Sequence, residues 1–175
     1  PAGQGCRYRE LNTQGKGIQV KESTGANRQQ VIEATASKLS PIIKEPFGPD
    51  FTELFPRVYF APSAFKYDKS EGDMSNWQKY GEWQYRLVDG RDLLTEPFRA
   101  KLHELTAHCT TDRDKVKAIY DYLAKTTRYV SIQLGIGGLQ PIAAADVCRT
   151  GFGDCKGLSN YTRAMLKELG IASTY

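Results

Sequence analysis

The sequence predicts an α+β protein, with a small β- and loop-rich segment over residues 1–70 and a mostly helical part over 71–175. Three observations predict it. Pro41, Pro46, Pro49, Pro56 and Pro62 punctuate the first part, and proline keeps its neighbours extended and disfavours helix. Beyond residue 75, apolar residues recur at helical spacing. Between the two lies the polar run Asp68-Lys69-Ser70-Glu71-Gly72-Asp73, which places the boundary near residue 70.

In the first part, the opening Pro1-Ala2-Gly3-Gln4-Gly5 reads as a chain entering inside or beside a domain. Ile18-Gln19-Val20 gives a short alternating strand, and residues 28–36 fit a short helix or a strand equally well. Arg57-Val58-Tyr59-Phe60 is a good short strand. From Ala61 to Asp73 the chain reads as loop.

In the second part, Ser75 is the expected cap of a first helix. Trp77, Tyr80, Gly81 and Gln84 fall on one side of it, and Asp89-Gly90 ends it. The aromatics of this helix either pack a junction or offer a surface to a partner. A second helix over about 96–108 sets Phe98, Leu102, Leu105 and Cys109 at helical spacing. A third starts at Thr111 or Asp112, with Val116, Ile119, Tyr120 and Leu123 as the expected buried stripe. Arg128 to Leu134 alternates like a strand, which Gly135, Gly137 and Gly138 break. Pro141 opens a short helix, Gly151-Phe152-Gly153 is a loop, and the last helix runs from about Asp154 to Leu169. Gly170 stops it as a natural C′ residue. Ile171 to Tyr175 begins what should be a strand whose partners the sequence does not supply.

At 175 residues the chain can bury a core without help from disulfides or a metal. The net charge of +4 is spread, and acids sit among the bases in runs such as Asp112-Arg113-Asp114-Lys115. That is a solvated helix face, so nucleic-acid binding is not expected. No window holds the roughly 18 apolar residues of a membrane span. A charged-then-apolar leader is also missing, so any export signal is expected to be removed or never present. Cys6, Cys109, Cys148 and Cys155 match no zinc spacing, and no cofactor or metal is expected.

The informative stretch is Gly151-Phe152-Gly153-Asp154-Cys155-Lys156-Gly157. A thiol attacks as its thiolate, and the free N–H groups of a helix start favour an anion. Gly153 is expected to allow a tight turn into the helix, and Gly157 to let substrate or another backbone come close. Asp154 opposes a thiolate unless it is spent capping the helix, and Lys156 favours one. Leu158, Tyr161 or Thr162, Met165, Leu166 and Leu169 then give the helix an apolar stripe that holds the thiol in place. These residues alone leave two readings open: Cys155 as a nucleophile, or as a small buried residue at a helix start. Cys109 and Cys148 read as core residues and Cys6 as incidental.

A thiol nucleophile normally needs a His base. The chain has two, His103 and His108, both before Cys155. A His about fifty residues upstream is one known order, which points to His108, although it sits in a helix among Thr, Ala and Cys. His103 reads as a surface helix residue.

The run Arg128-Tyr129-Val130-Ser131-Ile132-Gln133-Leu134-Gly135-Ile136-Gly137-Gly138-Leu139-Gln140-Pro141, with Ala144-Ala145-Asp146-Val147-Cys148, Gly153-Asp154-Cys155-Lys156 and Leu169-Gly170-Ile171, resembles the bacterial transglutaminase-like superfamily. The resemblance covers about residues 110–175. More loosely, residues before about 70 look like the tail of the β-rich domain that often precedes this one. It implies the helical N-terminal half of a papain-like domain, with a Cys-His-Asp triad and Cys155 as nucleophile. It implies a peptide or protein substrate and, since relatives are frequently exported, a periplasmic or otherwise exported location. The family's His and Asp lie on strands after the Cys helix. No His or Asp follows Cys155 here, and Glu168 sits at the far end of the same helix. The site is therefore expected to be incomplete and the fragment inactive. Gln140 falls near the place of an oxyanion donor, and reads otherwise as an ordinary pre-proline loop residue. The expected function is attack on peptide or glutamine amides through a thioester, with hydrolysis ahead of cross-linking. The alternative is a non-catalytic binding or scaffold module on the same fold.

Overall fold

The computed structural model describes residues 5–175. Pro1 to Gln4, in the opening run read above as entering inside or beside a domain, lie outside the described residues. Chain contacts gather into two compact units, one of Pro1–Lys66 and Ser70–Tyr80, the other of Tyr67–Lys69 and Gly81–Tyr175. The α+β class holds, with most of the helices in the second unit and short two-stranded sheets along the chain.

In the first unit, β1 (Cys6–Leu11) pairs antiparallel with β4 (Arg57–Pro62), from Cys6 opposite Pro62 to Leu11 opposite Arg57. β2 (Ile18–Thr24) pairs antiparallel with β3 (Gln30–Ala36). Val20 faces Ala34 and Ile32 faces Glu22, so Ile18, Val20, Ile32 and Ala34 share one face of the ribbon. Strand thus wins over helix for residues 28–36, because β2 offers a partner edge. A one-turn helix, α1 (Phe51–Leu54), is capped by Asp50. The expected loop from Ala61 to Asp73 instead holds the end of β4 and a hairpin of β5 (Ala64–Tyr67) and β6 (Ser70–Asp73). Asp68 makes its turn at φ 54°, a left-handed conformation that Asp tolerates better than most residues.

The next helix, α2 (Trp77–Val88), is capped by Asn76, whose side chain accepts from the Lys79 amide at 2.9 Å; Ser75, the expected cap, lies one residue outside. Its buried side is Trp83, Leu87 and Val88, while Trp77 is 87% exposed. The stripe through Trp77, Tyr80, Gly81 and Gln84 is therefore not the core face.

The core of the second unit is built by four helices. α3 (Glu96–Thr106) contributes Phe98 and Leu102, and α4 (Asp112–Thr126) contributes Ile119. α5 (Ala144–Thr150) adds Ala144 and Val147, and α6 (Cys155–Glu168) adds Tyr161, Ala164 and Met165. The Phe98 ring lies 5.4 Å from that of Tyr161 and 5.7 Å from that of Tyr122. Thr111 caps α4 by accepting from the Asp114 amide at 3.2 Å. The stripe on α4 is turned from the expected one. Ile119 is buried with Tyr122 and Leu123 packed beside it, while Val116 and Tyr120 are exposed.

The strand expected over Arg128 to Leu134 shrinks to β7 (Arg128–Tyr129), and a 3-10 turn occupies Gly135–Gly138. β7 pairs in parallel with β8 (Phe152–Gly153), inside the expected loop. Gly170 ends α6 at φ 73°, as expected. Ile171 to Tyr175 forms no strand. No helix among the described residues is long and apolar enough to cross a membrane.

Leu102→Ala should cost about 2–5 kcal/mol in urea unfolding, since Leu102 is 1% exposed. Val116→Ala should stay within about 0.5 kcal/mol. An equal cost at both positions would contradict the observed rotation of α4.

Candidate active site

Cys155 opens α6. The chain reaches it through a short braced segment. Gly151 follows α5 in the left-handed region at φ 69°, and its amide donates to the Val147 carbonyl at 2.9 Å. The Arg128 amide donates to the Gly151 carbonyl and the Val130 amide to the Gly153 carbonyl, both at 3.0 Å. The turn-making glycine is thus Gly151. Gly153 serves a different purpose, because a Cβ there would lie 3.4 Å from both the Leu158 amide nitrogen and Val147 Cγ2. A Cβ at Gly153 would sit in direct contact with the helix start and with Val147. Gly157 likewise makes room for protein, since its Cβ would lie 3.4 Å from Ile142 Cβ and 3.5 Å from Asp154 Oδ1. That close approach is made by Ile142 and the cap, where the sequence suggested substrate or another backbone.

Asp154 is the N-cap. Its Oδ1 accepts from the Gly157 amide at 2.9 Å, and its carbonyl accepts from the Leu158 amide at 2.9 Å. Oδ2 accepts from the Lys156 ammonium. Asp154 is 1% exposed. Burial disfavours its charge, but the bonds from Lys156 and the Gly157 amide prevail and hold its pKa below the usual carboxylate value. Asp154 is therefore spent on the cap, and Lys156 is spent on Asp154. The two charges expected to act on Cys155 in opposite senses largely neutralise each other.

Cys155 is exposed, whereas Cys6, Cys109 and Cys148 are half-buried. The alternative reading of Cys155 as a small buried residue does not hold. Burial first, and then the charge of Asp154, raises the phenol of Tyr175 above its ordinary value. Its position depends on how the chain returns after Gly170, which no local sequence signal announces.

Gln140 is half-buried, and its backbone N–H donates to the Ile136 carbonyl at 2.7 Å. Two residues on, Ile142 packs against Gly157, so the segment after Gln140 lies on the first turn of α6. A polar bracket that sequence reasoning missed holds this segment. Asn160 donates to the Arg91 carbonyl at 2.7 Å and to the Ile142 carbonyl at 3.5 Å. The Ala144 amide donates to the same Arg91 carbonyl at 2.8 Å, and the Arg91 guanidinium donates to the Pro141 carbonyl at 3.3 Å. The signal available in the sequence was an Asn next to the apolar stripe of a core helix.

The histidines lie elsewhere. His103 Nε2 is 3.1 Å from Glu168 Oε1, and Arg99 Nε is 2.9 Å from Glu168 Oε2. Burial opposes the Glu168 charge, yet Arg99 and His103 together lower its pKa. Glu168 closes the last turn of α6, about 20 Å from Cys155 at helical rise. The expected surface role of His103 holds. His108 is exposed in the turn after α3. Among the described residues, no group of three His, Cys, Asp or Glu is placed to hold a metal ion.

The exposed thiol thus stands at the capped start of a core helix, braced by a neighbouring strand pair. Residues 99–175 match the transglutaminase-like superfamily. The second unit therefore carries a transglutaminase-like domain. The fold is similar to the crystal structure of a putative protease from Parabacteroides distasonis, with a TM-score of 0.62 at 15% identity; the match covers 97% of this chain and 30% of that one. No match is found among curated proteins.

Asp154→Ala should cost about 1–2 kcal/mol at neutral pH through loss of the cap. The folded pKa of Asp154 is depressed, so its contribution is complete above the unfolded value near 3.8 and is lost as pH falls through the folded value. The gap between wild type and variant, followed by urea unfolding from pH 7 to pH 2, should close below about pH 4. A gap that widens with acid would contradict the assignment.

Proposed function

We propose that Cys155 is the nucleophile of a cysteine peptidase- or amidase-like domain acting on peptide or glutamine amides. The carrying observation is its exposure at the first turn of α6, with Asp154 and Lys156 paired to each other beside it. In the proposed reaction the thiolate adds to the amide carbonyl carbon. The side-chain amide of Gln140 donates to the resulting oxyanion. The C–N bond then breaks, the amine leaves with a proton, and a thioester remains on Sγ. Water releases the acid and regenerates the thiol; transfer to an amine is the less favoured end of the same path.

The base and its orienting acid are proposed to come from segments other than those that follow Cys155 here. The two histidines of the chain do not supply them, His103 being engaged by Glu168 at the other end of α6. The 175 residues by themselves are proposed not to turn over amides. A second reading, a non-catalytic binding or scaffold module, draws support from Trp77 and Tyr85, which are 87% and 63% exposed. Those aromatics, unlike Trp83, are free to meet a partner. A periplasmic or otherwise exported location is proposed from the family resemblance alone.

Iodoacetamide alkylation at neutral pH, mapped by mass spectrometry, separates these readings. The enzyme reading expects Cys155 to react about tenfold or more faster in the folded chain than in urea. Cys109 and Cys148 should show the reverse. A Cys155 no faster folded than unfolded would remove the case for a nucleophile and leave the binding module.

A further inference from the structure

Asn160 is an expensive residue for its position. It is fully buried on α6, where an apolar side chain would add core contacts without a desolvation cost. Its Nδ2 faces two backbone carbonyls, those of Arg91 and Ile142, so the amide orientation is fixed by its partners. Its Oδ1 is buried with no hydrogen-bond partner among the described residues. A buried polar group left partly unpaired is a poor stabiliser and calls for another explanation.

The geometry around it supplies one. Asn160 stands five residues after Cys155 on the same helix. Together with Arg91 it fixes three backbone points of the segment that follows Gln140: the Pro141 carbonyl, the Ile142 carbonyl and the Ala144 amide. Pro141 is itself buried, and Ile142 is pressed against the glycine two residues after Cys155. One rigid helix thus carries the thiol at its start and, one and a half turns on, the amide that clamps the strand of chain bearing Gln140. We infer that Asn160 is a positioning residue: it sets Gln140 relative to Cys155 and so aims the oxyanion donor. This rests on the proposed roles of Cys155 and Gln140.

Two reactions on the 175-residue chain separate the inference from that reading. Acylation by p-nitrophenyl acetate places an oxyanion on the attacked carbonyl. The Cys155 thiolate adds to the carbonyl carbon, the ester C–O bond breaks, p-nitrophenolate leaves with the electron pair, and an acetyl thioester remains. Alkylation by iodoacetamide displaces iodide and forms no oxyanion, so its rate controls for access to the thiol. With Cys155→Ser as the blank, Gln140→Leu should lower the ratio of acylation to alkylation rates about 10- to 100-fold. Asn160→Leu should lower it comparably, and the double variant should be no slower than Gln140→Leu. Where Asn160→Leu does not fold, Arg91→Met, which removes the bond to Pro141 but keeps the Arg91 carbonyl, should give a smaller drop of the same kind.

An Asn160→Leu or Arg91→Met chain that folds, and keeps the wild-type ratio while Gln140→Leu loses it, overturns the inference and leaves the reading intact. An unchanged ratio in Gln140→Leu, or a wild-type burst no larger than the Cys155→Ser blank, overturns the reading and the inference with it.

Discussion

Asp154 closes the first turn of α6 with three bonds. One carboxylate oxygen takes the Gly157 amide, the other takes Lys156, and the backbone carbonyl starts the helical ladder at Leu158. Each bond alone is ordinary. Placed on one fully buried residue, they determine where α6 begins, which way Lys156 points, and that the next side chain, Cys155, emerges into solvent. A buried carboxylate without those partners would be strongly unfavourable. The site is thus built on a charge whose burial is tolerated only because the helix start and its neighbour satisfy it.

The surroundings follow from that anchor. Val147, Ile142 and Leu158 pack around Gly153 and Gly157, so that a Cβ at either glycine would already touch them. β8 leads into Asp154 while paired with β7, and α5 packs against both β8 and α6. The opposite end of α6 is pinned separately. Asp92 accepts from Lys167 at 2.8 Å and from Arg163 at 3.3 Å, while Glu168 joins Arg99 and His103. Both ends of the helix are therefore tied by charged groups, and its middle by Tyr161, Ala164 and Met165 in the core.

Much of this was legible in the sequence where the causes are local. Asp154 before an apolar stripe and Gly170 after it delimit α6, and both ends hold because capping depends on a few adjacent residues. The failures share a different origin. On α2 and α4 the periodicity is real, but several apolar lines exist on each helix, and packing rather than spacing decides that Trp83 turns inward on α2 and that Val116 and Tyr120 stay exposed beside the buried Ile119 on α4. The β5–β6 hairpin was hidden because its turn uses Asp68 rather than glycine and its second strand, Ser70–Asp73, is polar. β7 and β8 are two residues long and exist through each other. For the site, the thiol and its cap were visible, whereas the Lys156–Asp154 pairing and the Arg91–Asn160 bracket join residues whose meeting only the fold arranges.

The central claim is that Cys155 accepts an acyl group from a peptide. The most direct measurement is incubation of the chain with a peptide thioester at neutral pH, followed by tandem mass spectrometry of the proteolysed product. The account predicts a peptidyl adduct on Cys155, absent from Cys155→Ser and from Cys6, Cys109 and Cys148 in the folded protein. Peptidyl transfer spread evenly over the four cysteines, or unchanged in Cys155→Ser, would contradict it.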